Sequence, residues 1–158
     1  CEWGYTAGKA AGRALAAWGA RYPGVSGHRP IDGNRCGFMV GKLDGVRCDR
    51  TRLADGQAVG VLELILRGVA AAYAAGYVHA DMSEYNVAVS ESGVTVFDWP
   101  QSVPTDHENA RELLARDVDN LLSYFRRKHP GSIPDLDADE VSESVAADDF
   151  ETVRSHAV

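Results

Sequence analysis

The amino-acid sequence predicts an α+β fold, mainly helical, with one short β-hairpin. Three stretches support this reading. Residues 55–75 place Val59, Leu62, Ile65, Leu66, Val69 and Tyr73 at helical spacing, ahead of Gly76 as a stop. Residues 108–128 repeat the pattern with Ala110, Leu113, Leu114, Val118, Leu121, Leu122 and Phe125. Between them, Asn86 to Ser90 and Val94 to Asp98 are β-rich runs joined by Glu91-Ser92-Gly93, a loop with glycine where a left-handed conformation is favoured.

Length and composition limit what such a chain can be. With 158 residues, of which 45% are hydrophobic, it suits one globular unit plus tails and not a disordered segment. The 23 acidic and 16 basic residues give a net charge of −7, which argues against a broad nucleic-acid surface. The run Arg126-Arg127-Lys128 fits the end of a helix, where cations favour the dipole. Cys1, Cys36 and Cys48 are odd in number and form no close pair, so the expectation is free thiols in a reducing compartment, with neither a disulfide framework nor a zinc site. The most apolar stretch, Val59 to Val78, is interrupted by Glu63 and Arg67. It is therefore not read as a membrane span, and a cytoplasmic protein is expected. The absence of an initiator Met points to a fragment.

Taken in order, Thr6 is a candidate cap for a helix reaching about Arg21, with Ala10, Ala14, Ala17 and Trp18 on one face. Gly8-Lys9 does not form a phosphate loop, because Gly4 is one residue too close and Ala10 stands where a hydroxyl is needed. Val25 to Arg35 reads as a connector, Cys36 to Gly41 as a short strand, and Lys42 to Gly45 as the turn leaving it. Asp55 is a plausible N-cap for the core helix. Gln101 to Asp106 reads as a loop. Asp117 interrupts the stripe of the second long helix, so it is either buried with a partner such as Arg116 or His79, or placed at the stripe's edge. From Asp135 onward carboxylates dominate, giving a weak helix or a mobile acidic tail.

The chemistry-bearing residues gather around the hairpin. Asp81, Asn86 and Asp98 have the types and spacing that phosphoryl transfer requires: a base that holds a hydroxyl, and two ligands for Mg²⁺. With Ser90 opposite Val94, the register pairs Val89 with Thr95, Val87 with Phe97, and Asn86 with Asp98, bringing the polar ends together. A bulge at the turn would shift this register by one residue.

Several motifs then carry a family resemblance. His79-Ala80-Asp81-x-Ser83-Glu84-Tyr85-Asn86, Val96-Phe97-Asp98-Trp99-Pro100-Gln101, His107-x-Asn109-Ala110 and Arg116-Asp117-Val118 resemble the RIO family of atypical protein kinases, most of all its archaeal winged-helix branch. Upstream, Arg29 to Arg35 and Leu43-Asp44-Gly45 resemble the strand and hinge before the adenine pocket, so the likeness covers about residues 6–130. It implies a protein-kinase-like C-terminal lobe, with the hairpin carrying the metal ligands and most of the N-terminal lobe missing. Residues 1–35 would be a remnant of that lobe, 36–130 the C-terminal lobe with its hinge, and 131–158 an acidic tail.

The resemblance also implies roles. Asp81 would be the catalytic carboxylate, Asn86 and Asp98 would hold Mg²⁺ against ATP, and the backbone of Gly41 to Leu43 would meet adenine. His79 would brace the catalytic loop, while Tyr85, Phe97 and Trp99 would be packing groups. Ala80 replaces the Arg of ordinary protein kinases, so no phosphate-reading activation loop is expected. The family role is maturation of the small ribosomal subunit, making its precursor or associated factors the expected partners. The chain shows no Gly-rich nucleotide loop and no strand Lys, and Ala10 stands near the place of the glutamate that would pair with that Lys. It is therefore expected to be inactive alone. The competing readings are a catalytically degenerate module that binds nucleotide or preribosome, and a small-molecule phosphotransferase.

Overall fold

The computed structural model describes residues 45–54 and 56–149, together with the backbone of three upstream strands, β1 (Val25–Gly27), β2 (Pro30–Asn34) and β3 (Gly37–Val40). The expected connector from Val25 to Arg35 is thus largely strand: β2 pairs with β3, and β1 pairs in parallel with a strand of the hairpin. Its Gly and Pro content hid this. The proposed helix from Thr6 to Arg21 and the hinge residues Gly41 and Leu43 lie outside the described residues.

Strand β4 (Val46–Arg47) leads through a 3₁₀ turn at Cys48–Arg50 to helix α1 (Gln57–Ala74). Asp55 is not among the described residues; the capping position falls to Gly56, and the Gln57 side-chain oxygen accepts the Ala54 N–H at 2.8 Å. At the other end Gly76, with φ of +92°, turns the chain as its position suggested. Helix α1 buries Leu62, Ile65, Leu66 and Val69. By length and a mean hydropathy of 1.3 it is the one helix among the described residues that could cross a membrane. Half of it is buried inside the fold, and Arg67 pairs with Glu63 at 2.7 Å.

After α1, β5 (Tyr77–Val78) pairs with β8 (Val103–Pro104), placing a short strand in the predicted 101–106 loop. The hairpin strands are β6 (Val87–Ser90) and β7 (Gly93–Val96), and the four-stranded sheet runs in the order β1-β7-β6-β4. The hairpin register is one residue off the expected one. Ser90 pairs with Gly93, Val89 with Val94 and Val87 with Val96. The reason lies in Gly93: with φ of +132° it joins the ladder and leaves a two-residue loop. Asn86 therefore faces Phe97, whose N–H donates to the Asn86 carbonyl at 3.0 Å, and not Asp98.

Helix α2 (Ala110–Lys128) supplies the other half of the core with Leu114, Val118, Leu121, Leu122 and Phe125. It packs with α1 around Met82, Val87, Val94, Val96 and Trp99. The acidic end is not a mobile tail up to residue 149. Helix α3 (Ala138–Ala147) packs on both α1 and α2, burying Val141 and Val145. Of the two readings of this end, a weak helix or a mobile tail, the helix is the one found; its carboxylates lie on the outer face, where Asp139 and Glu140 also suit the helix N-terminus. Asp137 caps it by accepting the N–H groups of Asp139 and Glu140 at 2.9 and 3.0 Å. Arg126, in the last turn of α2, donates to the Leu136 carbonyl and fixes the approach.

Replacing Asp137 by Ala should lower stability by about 1 kcal/mol in urea unfolding, the usual worth of a side-chain cap; an unchanged midpoint would mean that α3 is not docked.

Candidate functional site

The loop carrying His79, Ala80, Asp81 and Met82 is held from behind by one turn of α2. Asp117 is fully buried, and its two carboxylate oxygens accept the backbone N–H groups of Ala80 at 2.7 Å and Met82 at 3.0 Å. Arg116 donates to the Ala80 carbonyl, and the Asn120 side chain donates to the Met82 carbonyl at 3.2 Å. Ala80 has φ of +64°, a left-handed conformation that costs a residue with a Cβ roughly 1–2 kcal/mol. Both of its backbone polar groups are bonded to α2, which is what holds it there. Of the alternatives for Asp117, burial is correct; its hydrogen-bond partners are backbone amides, while His79 and Arg116 act on it only electrostatically. Burial raises the Asp117 pKa, against the two amide donors, His79 and Arg116, which pull it back.

His79 is buried beside the same loop. Its Nε2 lies 2.9 Å from the Phe97 carbonyl, which can only accept, so Nε2 carries the proton. Nδ1 is buried with no hydrogen-bond partner among the described residues, which fits a neutral ring. Burial accordingly depresses the His79 pKa; the Phe97 carbonyl and the carboxylates of Asp117, Asp81 and Asp98 oppose that shift. The imidazole lies 4.6 Å from the Trp99 ring, tilted by 57° to it, and Trp99 is buried as expected. The Trp99 indole donates to Val96, and its carbonyl accepts both the N–H and the hydroxyl of Ser102.

On this frame two of the three candidate residues are bonded to each other, and the third lies one residue beyond a backbone partner of Asn86. The Asn86 amide donates from Nδ2 to the Asp81 carbonyl at 2.7 Å. That bond fixes the orientation of the amide and leaves Oδ1 as an uncommitted acceptor. Asp98 follows Phe97, the residue that faces Asn86, and has φ of +63°. The chain leaves the strand at that point, so the Asp98 side chain is aimed by this turn and not by the ladder. Asp81 and Asp98 are exposed, whereas Asn86 is buried. The described residues include no group of three His, Cys, Asp or Glu able to hold a metal. An amide oxygen and a carboxylate suit Mg²⁺, which takes one or two protein ligands and completes its octahedron with phosphate oxygens and water.

Two expectations need correction or addition. Tyr85 is not a core packing group: the residue is 53% exposed, and its ring lies under the Arg47 guanidinium at 5.3 Å, while Arg47 is bound twice to Asp49. The roles of Arg116 and Asn120 in gripping the loop were missed, although their spacing around Asp117 puts all three within about one helical turn. At the end of α2, Arg127 pairs with Glu84 at 3.4 Å, and Lys128 donates to the Asp49 carbonyl.

A helical lobe that pins a loop carboxylate beside a hairpin bearing an amide and a second carboxylate defines a protein-kinase-like fold. The Rio2 kinase of Chaetomium thermophilum, in its ADP/Mg²⁺-phosphoaspartate complex, superposes with a TM-score of 0.59 at 19% identity, over 98% of this chain and 53% of that one. The RIO domain model matches residues 28–138, and the chain belongs to that family. The RIO-type serine/threonine-protein kinase Rio2 of Methanocaldococcus jannaschii is 31% identical over 150 residues, covering 91% of this chain and 56% of its own length. Rio1 of Haloferax volcanii is 34% identical over 136 residues, or 84% and 45%. The chain thus spans about half the length of the curated relatives it matches.

Because the folded His79 pKa lies below its free value of about 6.5, the unfolded chain binds more protons in that interval and stability should fall as pH drops below it. Urea unfolding from about pH 7.5 to 5.5 should show this slope, at most about 1.4 kcal/mol per pH unit, and His79→Asn should flatten it.

Proposed function

We propose that this chain carries the base and metal ligands of a RIO-type serine/threonine kinase or ATPase. The observation that carries the reading is the bridge made by Asn86, bonded through its side chain to the Asp81 carbonyl and through its backbone to the residue before Asp98. Asp81, exposed between the pinned residues Ala80 and Met82, orients the attacking hydroxyl or water and accepts its proton. Asn86 Oδ1 and the Asp98 carboxylate would hold Mg²⁺ against the ATP phosphates. When bound, that ion neutralises charge developing on the transferred group. The rigid backing of the loop by Asp117, Arg116 and Asn120 fixes where the base stands, which is the protein's main contribution to an in-line transfer.

A Gly-rich loop and a strand Lys would complete the phosphate clamp; without them, the 158 residues alone should turn over ATP slowly or not at all. Maturation of the small ribosomal subunit, with its precursor particle as partner, is the role this assignment suggests. The Chaetomium neighbour was solved with a phosphoaspartate; by such a route an aspartate carboxylate oxygen would attack the γ-phosphorus of ATP, ADP would leave, and water would then release the phosphate and restore the carboxylate.

In the full-length protein Asp98→Ala should abolish Mg²⁺-dependent ATP turnover, and near-normal turnover would remove Asp98 from the metal site. Asp81→Asn should leave nucleotide affinity, read by calorimetry, close to the parent value while slowing turnover by roughly 10²-fold or more. A large loss of affinity would make Asp81 a structural residue instead.

A further inference from the structure

At the far end of the hairpin from Asn86 lies an open cleft of about 930 Å³. Its lining includes Val46 and Val89 on the sheet, Arg50 and Arg52 after the 3₁₀ turn, Gln57 at the start of α1, and Glu91 at the hairpin tip. Ser90 is four residues along β6 from Asn86, or about 13 Å at the rise of a strand. The cleft is therefore separate from the phosphoryl-transfer residues.

Its free polar groups are nearly all donors. Arg50 and Arg52 are exposed and form none of the ion pairs found among the described residues. Gln57 already uses its oxygen to accept the Ala54 N–H, so its amide NH₂ is what remains to offer. Thr51, between the two arginines, is committed to the Val46 and Arg47 carbonyls, and the Ser90 and Ser92 hydroxyls bond each other at 2.8 Å. Beside these donors Val46 is 52% exposed, one of only two large apolar side chains so exposed among the described residues. Among the described residues neither guanidinium is held in an ion pair, although Arg50 lies near enough to Asp49 to help Arg47 lower its pKa; on a chain of net charge −7 the two together favour an anionic partner.

We propose that this cleft docks an acidic peptide segment of a protein partner, with carboxylates on Arg50 and Arg52 and an aliphatic side chain against Val46 and Val89. A nucleic acid is the poorer match, because the lining holds no aromatic ring on which a base would stack. The volume lies near the upper end of the range for small-ligand pockets, enough for a short stretch of chain. The docking site stands whether or not the chain transfers phosphate.

The test is fluorescence anisotropy on the whole chain with a short labelled peptide rich in glutamate around a central Leu-Val pair. Saturable binding is expected, weakened roughly tenfold or more when glutamines replace the glutamates, and by a similar factor in the double variant Arg50→Glu with Arg52→Glu. Both arginines are exposed, so thermal unfolding should be unchanged; if the double variant fails to fold, the single variants Arg50→Gln and Arg52→Gln should each give part of the loss. No saturable binding, equal affinity for the glutamine peptide, undiminished affinity in the folded arginine variants, or tighter binding of an oligouridylate would overturn the proposal.

Discussion

The carboxylate of Asp117 is the constraint on which the site depends. An uncompensated charge in the interior costs several kcal/mol, so this side chain must be met by donors. The donors are the Ala80 and Met82 amides, hence the helix cannot pack without shaping the loop. The reverse also holds: an Ala at φ +64° finds its return in two backbone bonds, one to Asp117 and one to Arg116. Loop geometry and helix packing are one interaction seen from two sides.

The hairpin contributes position and not just scaffolding. Its two strands end together, so Asn86 and Phe97 share a backbone bond. The polar side chains then depart from strand logic. Asn86 turns inward to the Asp81 carbonyl, while Asp98 takes a left-handed backbone conformation between Phe97 and the anchored Trp99. Strained φ values of this kind are held where surrounding contacts over-determine them. Two such residues, Ala80 and Asp98, stand one beside and one within the candidate triad.

Much of this was legible in the sequence. The helical periodicity of 55–75 and 108–128 marked α1 and α2 to within a few residues, because their apolar stripes are long and regular. The residue types Asp81, Asn86 and Asp98 named the candidate chemistry; the structure bonds Asn86 to the Asp81 carbonyl and sets Asp98 next to Phe97, the backbone partner of Asn86. What was hidden depended on single residues or on long-range contact. Gly93 could be read as turn or as strand, and the choice moved the register by one. Helix α3 shows only Val141 and Val145 against many carboxylates, so its docking face emerges only when α1 and α2 are in place. Tyr85 looked like a core aromatic by type alone, yet the inward turn of its neighbour Asn86 leaves it facing water.

The grip of Asp117 on Ala80 joins residues 37 apart in sequence. Closing so wide an interval has an entropic cost that nearby hairpin contacts do not share. The loop bearing Asp81 is therefore held in place only while the two long helices are packed together. Local fraying at the hairpin tip or the upstream strands leaves that grip intact, so the shape of this loop and the cooperativity of the whole lobe rise and fall together.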